Sequence, residues 1–276
     1  MYKMINSLLL LIITFFYSIN ANSFDWETGN ITVSLSSYVY CDPETYLTQK
    51  YEGFSESFVP TYRIYGRTYD VNGVIGYSIS HKSIYVVFRG TQSNRDWFDD
   101  FHIKLIDYPL CEGCKVHRGF YNAQKSVNFN MLLETIDLIN IYPSFSIVLT
   151  GHSLGAALTT LSAFELKNVL NKHYTNKITI FTYGSPRIFN DIGSEKMSGI
   201  VDSVRVTHYK DIVVQVPPIG MDYQHILTEW YEDFYPMYIK KCEGYENQMC
   251  SGQWMLTELT GDDHMWYLNK YIECPN

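Results

Sequence analysis

The feature that most constrains this 276-residue chain is a serine flanked by glycines where a strand-like pattern meets a helix-like one. The apolar run "SIVLT" leads into "GHSLG" at residues 151–155, and the small-residue stretch "AALTTLSAF" follows at once. A sharp strand-to-helix turn exposes a serine hydroxyl as a nucleophile requires, and it leaves no room for side chains at the flanking glycines. We therefore predict that Ser153 is a nucleophile, and that side chains at Gly151 and Gly155 would collide with their neighbours.

The segments around this junction alternate between strand and helix patterns. A helix with Leu132, Leu133, Ile136 and Ile139 on one face is followed by a buried strand and by a second helix from Gly155 to about residue 170. Near-continuous apolar strands that alternate with helices predict an α/β fold, with a mostly parallel sheet covered by helices on both faces. The other predicted strands lie at residues 73–80, 84–90, 177–183 and 203–209.

The first residues, "MYKMINSLLLLIITFFYSINANS", have a basic start, an apolar stretch and small residues at its end. This layout predicts a cleavable secretory signal over residues 1–22, and a membrane anchor is the alternative. Because no linker pattern divides the rest, we expect one domain over residues 23–276. The chain has 21 basic and 29 acidic residues, and this balance disfavours nucleic acid as a partner.

Six cysteines lie beyond the predicted signal, and an even number in a secreted chain indicates disulfide bonds. Cys111 and Cys114 form a CxxC pair that could suggest a redox or zinc site. No second CxxC or HxxxH motif completes such a site, so we expect no metal. We also expect no organic cofactor.

A nucleophilic serine needs a histidine base, and in this fold class the histidine follows the acid along the chain. His173, His208, His225 and His264 satisfy that order. We favour His264, because a Gly/Asp turn precedes it and the apolar residues after it predict the start of a helix. His152 is set aside, since its side chain should point away from that of the adjacent serine.

The acid is expected near the carboxyl end of a strand, on the same rim of the sheet as the serine. Asp211 follows the strand pattern "SVRVTHY" and is the favoured candidate, with Asp191 and Asp202 as alternatives. Asp262 and Asp263 are expected instead to cap the helix predicted after the histidine.

Several motifs, in their order and spacing, resemble those of the class 3 lipases, the fungal-type triacylglycerol lipase family with an α/β-hydrolase fold. The resemblance covers most of residues 70–270 and is specific because so many motifs are collinear. The motifs in this chain are "VVFRGT", "CEGCKVHRGFY", "GHSLGAAL", "TYGSPR", "RVTHYKDIVVQVPP", "YQHILTEWY" and "GDDHMWYL".

The resemblance implies Ser153 as nucleophile, Asp211 as acid and His264 as base, in agreement with the interpretation above. It also implies an oxyanion hole formed by the backbone N–H and hydroxyl of Thr91 and by the backbone N–H of Leu154. Four further residues match positions that look structural in the family: His117, Arg187, His225 and Trp230.

The segment "SNRDWFDDF", residues 93–101, aligns with the lid of the family. Trp97, Phe98 and Phe101 share one face of a short helix in this pattern, and that face would cover Ser153 until a lipid interface displaces it. A surface helix packed permanently on the core is the alternative. The three aspartates make the segment more acidic than a strongly lipid-seeking lid.

The resemblance and the spacing together suggest a pairing of the cysteines. The expected disulfides are Cys111 with Cys114, Cys242 with Cys250, and Cys41 with Cys274.

A second departure from the family is Phe189, which stands where its members commonly have glycine.

The expected function is that of a secreted serine esterase that hydrolyses acylglycerols at a lipid–water interface as a monomer. Its location would be the extracellular medium or the lumen of a digestive vacuole. The acidic lid segment and the motif "CEGCKVHRGFY" keep open a phospholipase A1 or a feruloyl-type soluble-ester hydrolase. A non-catalytic binding protein on the same scaffold is the alternative from another class.

Overall fold

The computed structural model describes residues 23–91, 103–170, 177–234 and 238–275. The α-helices in these ranges are α1 (Trp26–Tyr38), α2 (Arg118–Lys125), α3 (Asn128–Ile141), α4 (Leu154–Val169) and α5 (Asp191–Ser198). The strands are β1 (Val59–Gly66), β2 (Val71–Ser78), β3 (Ser83–Phe88), β4 (Leu105–Asp107), β5 (Lys115–His117), β6 (Ser146–His152), β7 (Ile178–Tyr183), β8 (Asp202–His208), β9 (Glu229–Glu232), β10 (Ile239–Cys242), β11 (Trp266–Tyr267) and β12 (Lys270–Tyr271).

Eight of these strands form one sheet in the order β1-β2-β3-β6-β7-β8-β9-β10. The five strands from β3 to β9 in this order run parallel, while β1, β2 and β10 are antiparallel to their neighbours. The prediction of a mostly parallel α/β sheet is confirmed. The carboxyl ends of β6, β7 and β8 therefore meet along one edge, where loops can bring polar side chains together.

Helices cover both faces of this sheet, as the sequence predicted. The α2, α3 and α4 helices contribute Phe120, Met131 and Leu158 to the core on one face. On the other face, α1 packs together with the hairpin of β11 and β12, and this core includes Leu35 and Tyr267. The chain's last described segment thus lies against the same face as α1.

Three disulfide bonds pair the six cysteines as the sequence analysis expected, with Cα–Cα separations of 4.6, 5.5 and 6.5 Å. The first of them joins the end of the α1 segment to the residues after β12. A single bond therefore fixes the two segments that cover this face of the sheet. The pairs are Cys41–Cys274, Cys111–Cys114 and Cys242–Cys250.

The helix predicted after His264 is wrong. The chain makes one 3-10 turn at Asp263–Met265 and then forms the hairpin of β11 and β12. Leu268 and Asn269 turn this hairpin with φ of 50° and 59°, a conformation that no helix contains. The buried Glu232 carboxylate stabilises the turn by accepting the Leu268 N–H at 2.8 Å.

The predicted helix caps before His264 are wrong for the same reason. The Asp263 carboxylate accepts a hydrogen bond from the Thr260 hydroxyl at 2.7 Å, which closes the loop that precedes the 3-10 turn. Asp262 lies at the start of that turn and makes no side-chain capping bond there.

Among the described residues, no helix combines the length and the apolar character that crossing a membrane requires. The predicted signal, residues 1–22, lies outside the described ranges.

Candidate active site

The turn between β6 and α4 carries Ser153 in the conformation that the sequence predicted. Ser153 has φ of 59° and ψ of −126°, which is strained for a residue with a side chain, and its N–H donates to the Tyr183 carbonyl at 3.0 Å. A Cβ at Gly151 would lie 2.5 Å from the backbone of Gly155, and one at Gly155 would lie 2.3 Å from the Phe88 carbonyl. Side chains at either glycine would therefore collide with their neighbours, as expected.

Asp211 lies just beyond the carboxyl end of β8 and is fully buried. Its Oδ1 accepts the Val213 N–H at 2.7 Å, and its Oδ2 accepts both His264 Nδ1 at 2.8 Å and the Tyr267 hydroxyl. Burial by itself would raise the pKa of Asp211. Electrostatic attraction to the His264 ring and these hydrogen bonds outweigh burial and hold the pKa of Asp211 below its ordinary value, so the group is a carboxylate.

His264 is buried, and its two ring nitrogens have different surroundings. Since a carboxylate only accepts, Nδ1 carries the proton of the bond to Asp211, and neutral His264 presents a lone pair at Nε2. This Nε2 is buried and has no hydrogen-bond partner among the residues that the structure describes. Within the described ranges, the lone pair of this nitrogen is thus left to accept a proton.

Gly184 provides the space for this pair at the end of β7. A Cβ on Gly184, whose φ is 58°, would lie 2.7 Å from His264 Cε1 and 2.9 Å from Asp211 Oδ2. Any side chain there would displace the histidine or the carboxylate.

Thr91 and Leu154 lie on either side of the serine turn. A Cβ on Gly90, the residue before Thr91, would lie 3.1 Å from Ser153 Cβ, so this segment passes close to the serine. Within the described part of the chain, the buried Thr91 hydroxyl has no hydrogen-bond partner. Leu154 begins α4, and the first N–H groups of a helix have no acceptor within it. The Thr91 segment and the first turn of α4 therefore both lie close to the serine turn.

The structure does not bring the alternative acids to this site. Asp191 is exposed at the first position of α5, where its carboxylate accepts the N–H of the next residue. Asp202 begins β8, at the opposite end of the strand from Asp211, and its side chain lies 3.4 Å from Lys177 Nζ.

Two of the alternative histidines bind backbone carbonyls instead. The ring of His208 lies 2.8 Å from the carbonyl of Asp263, and that of His225 lies 2.8 Å from the carbonyl of Val214. Both are buried and hold loops around the site in place. His173 lies outside the described residues.

Three side chains that contact the site were not anticipated from the sequence. Tyr267 donates to Asp211, and the ring of His152 lies 4.3 Å from that of His264. Tyr40 hydrogen bonds to His152 at 2.7 Å. Tyr267 lies in the same motif as His264, which is a signal for its proximity, whereas no local pattern connects Tyr40 with the serine turn.

Trp97, Phe98 and Phe101 lie outside the described residues. Phe189 is buried and its backbone bridges Val116 and Gln224, so the bulkier residue is accommodated in the core.

Glu229, Cys242 and Cys250 are the one close group of potential metal ligands found in the described ranges. Both cysteines belong to a disulfide bond, and Glu229 accepts the Thr207 hydroxyl at 2.7 Å and pairs with Arg205. This group is therefore a structural cluster, because its sulfur atoms are not thiolates.

A parallel sheet, a serine on a strand-to-helix turn, an acid after a later strand and a histidine in the final loop together define an α/β hydrolase. The family model for lipase (class 3) matches residues 85–221. This chain belongs to the class 3 lipase family.

Curated relatives include a lipase of Rhizomucor miehei, 32% identical over 190 residues, which are 66% of this chain and 51% of the relative. A secreted mono- and diacylglycerol lipase of Fusarium solani is 32% identical over 203 residues, 71% of this chain and 59% of the relative. The chain therefore spans between half and three fifths of the length of these relatives.

Solved structures agree over a larger part of the chain. The Rhizomucor miehei lipase propeptide complex is 25% identical, with a TM-score of 0.83 over 91% of this chain and 83% of that one. A lipase from Rhizopus microsporus var. chinensis is also 25% identical, with a TM-score of 0.81 over 91% and 90% of the two chains.

Proposed function

We propose that this protein is a serine esterase that hydrolyses the ester bonds of acylglycerols. The observation that carries the proposal is the buried His264, whose Nδ1 is held by Asp211 and whose Nε2 has no partner among the described residues. Its ring lies 4.3 Å from that of His152, the residue before Ser153. Relatives named as lipases and as mono- and diacylglycerol lipases support an acylglycerol as the substrate.

In this proposal, Ser153 Oγ attacks the ester carbonyl while His264 Nε2 accepts the hydroxyl proton. Asp211 holds the imidazole in the required tautomer and stabilises the imidazolium. The N–H and hydroxyl of Thr91 and the N–H of Leu154 donate to the oxyanion. His264 then gives the proton to the leaving alcohol, and a water molecule activated by the same nitrogen releases the acid from the acyl-enzyme.

Exposed apolar side chains near these residues support a lipid substrate. Trp266, two residues after His264, is half-exposed, and Met255 and Leu256 are largely exposed in the segment that leads to Thr260. The backbone of Thr260 pairs with that of Asp211, so this segment reaches the site. Exposed apolar residues of this kind are typical of surfaces that contact lipid or a partner.

We infer that residues 1–22 are a secretory signal and that the following residues form one domain, which acts as a monomer at a lipid surface. The secreted relatives and the three disulfide bonds support an extracellular location.

A fluorophosphonate probe tests the proposed nucleophile. We expect it to label the folded protein at Ser153, and we expect Ser153→Ala to lose both labelling and esterase activity. Ser162→Ala, which removes a buried serine hydroxyl elsewhere on α4, is the control and should keep both. A folded protein that fails to label is instead a binding protein on a lipase scaffold.

A panel of tributyrin, phosphatidylcholine and a feruloyl ester tests the substrate class. We expect the highest kcat/KM on the acylglycerol. A clear preference for phospholipid or for the feruloyl ester would contradict that assignment and leave the serine mechanism intact.

A further inference from the structure

His152 precedes Ser153 and lies within the core of the site, with 1% of its surface exposed. Both of its ring nitrogens have partners. Nε2 lies 2.7 Å from the backbone carbonyl of His264, and Nδ1 lies 2.7 Å from the hydroxyl of Tyr40. The ring therefore connects the residue beside the proposed nucleophile with the backbone of the proposed base.

The chemistry of these partners fixes the direction of each hydrogen bond. A carbonyl only accepts, so Nε2 of His152 carries a proton and donates it to His264. Burial lowers the pKa of His152 to about 3, so near neutral pH the ring has no second proton and Nδ1 accepts from Tyr40. The Tyr40 hydroxyl in turn lies against the backbone of Gly90.

The contact between Tyr40 and Gly90 is close. A Cβ on Gly90 would lie 2.2 Å from the Tyr40 hydroxyl and 2.7 Å from the His152 carbonyl. Only a glycine allows the backbone before Thr91 to approach this hydroxyl. Cys41, the residue after Tyr40, forms a disulfide bond with Cys274. This bond anchors the backbone that carries Tyr40.

One continuous path of contacts thus runs from the Gly90 backbone through the Tyr40 hydroxyl and the His152 ring to the His264 carbonyl. Gly90, His152 and His264 belong to the oxyanion segment, the serine turn and the base loop, which come from distant parts of the sequence. Acyl transfer requires these groups to keep their relative positions to within about 0.5 Å. A shared set of directed hydrogen bonds meets that requirement better than separate contacts do.

We propose that Tyr40 and His152 are positioning residues, which hold the oxyanion segment, Ser153 and His264 in register through this hydrogen-bond path. The proposal rests on the proposed serine mechanism. Neither residue is assigned a contact with substrate, so their loss should lower kcat and leave binding of a small ester almost unchanged.

The first variant is Tyr40→Phe, which keeps the ring and removes the hydroxyl from the middle of the path. We expect kcat for p-nitrophenyl butyrate to fall roughly ten- to a hundredfold, because misplacement by a fraction of an ångström has effects of this size. KM should change by less than about twofold, and the rate of fluorophosphonate labelling should fall in parallel with kcat.

Tyr51→Phe is the matched control. It also removes one buried hydroxyl, whose partner is the Tyr46 carbonyl at 2.9 Å in the same segment. We expect it to lower the urea midpoint and to keep kcat within about twofold of the parent. An equal loss of kcat in both variants would overturn the proposal, since it would reveal a general effect of loosening this segment.

A double-mutant cycle keeps the proposal testable if Tyr40→Phe folds poorly. His152→Leu preserves volume and removes both ring bonds, so it interrupts the path by itself. The double variant Tyr40→Phe/His152→Leu should then lose no more kcat than His152→Leu alone. Additive losses, or a kcat for Tyr40→Phe within twofold of the parent, would overturn the positioning role.

The Ser153→Ala variant separates this failure from failure of the proposed function. If Ser153→Ala is inactive and Tyr40→Phe is fully active, the serine mechanism stands and the positioning role falls. If Ser153→Ala keeps its activity, both proposals fall.

Discussion

The hydroxyl of Thr91 is buried without a partner in the described part of the chain, although such a group ordinarily costs about 1–3 kcal/mol. A hydrogen bond that this hydroxyl forms only when negative charge develops beside Ser153 would explain why the protein tolerates that cost. In the free protein the hydroxyl is then destabilising, and in the transition state it is stabilising. Activity and stability should therefore respond in opposite directions when it is removed.

We predict that Thr91→Val lowers kcat roughly a hundredfold, since one oxyanion donor is worth about 3 kcal/mol. The free energy of unfolding should stay the same or rise, because valine preserves the shape and removes the unpaired hydroxyl. Steady-state kinetics and urea unfolding measure the two effects.

Two further variants serve as controls for Thr91→Val. Thr91→Ser retains the hydroxyl and should keep most of the activity. Thr159→Val removes another buried hydroxyl that has no partner among the described residues. It lies on α4 away from the serine turn, and its loss should leave kcat unchanged. An unchanged kcat in Thr91→Val would exclude the Thr91 hydroxyl from the oxyanion hole.

The residues that the sequence indicated for this site were those whose local patterns are informative. Ser153 lies at a strand-to-helix junction, Asp211 follows a strand, and His264 follows a Gly/Asp turn. His152 was set aside because adjacent side chains on a strand point to opposite faces. Its strand ends there, and the positive φ of Ser153 redirects the chain, so both side chains can lie near His264.

At the scale of elements, the turn after β7 controls the space for His264 and Asp211. Gly184 has φ of 58°, and a Cβ there would lie within 3 Å of both His264 and Asp211. The sequence motif "TYGSPR" gave no separate reason for this glycine, because its neighbours in space come from two other loops.

We predict that Gly184→Ala lowers kcat at least a hundredfold, because the methyl group displaces His264 or Asp211. Gly53→Ala is the matched control: its φ is 60°, and a Cβ there meets nothing within 4 Å. Both variants bear the same backbone strain of roughly 1 kcal/mol, so thermal unfolding should show similar losses from that source. Equal activities of the two variants would contradict the steric role of Gly184.

The hairpin of β11 and β12 shows why one element could not be predicted locally. The apolar residues after His264 fit a helix, but the positive φ of Leu268 and Asn269 is stabilised by the Glu232 carboxylate from β9. The hairpin also brings the Tyr267 hydroxyl to Asp211. These contacts involve strands more than thirty residues away, and they outweigh the local preference.

At the scale of the whole molecule, several buried histidines determine how stability depends on pH. Burial lowers the pKa of His152 to about 3 and that of His117 to about 4, and it holds the pKa of His225 well below its ordinary value. The folded protein keeps these rings neutral at a pH where the unfolded chain protonates them. Their contribution to stability is fully present above pH 6.5 and is lost as the pH falls.

Two buried carboxyl groups act in the opposite direction over part of this range. Burial raises the pKa of Glu165 and of Glu232, so the folded chain holds protons there that the unfolded chain releases as the pH rises past 4.5. These two groups offset part of the histidine effect above pH 4.5. The three histidines outnumber them, so stability still falls as the pH drops below 6.5.

We predict that the free energy of unfolding falls by up to roughly 4 kcal/mol per pH unit below pH 6.5, since each neutral histidine contributes about 1.4 kcal/mol per unit. Urea unfolding at pH 7.5, 6.5 and 5.5 measures this slope.

His117→Asn should remove about a third of this slope, because asparagine can still cap α2 but does not titrate. His81→Gln, at a partly exposed histidine, should keep most of the slope. A flat profile between pH 7.5 and 5.5 would contradict the prediction. The predicted profile also bears on location, because a protein with this slope is most stable in a neutral extracellular medium and loses stability in an acidic digestive vacuole.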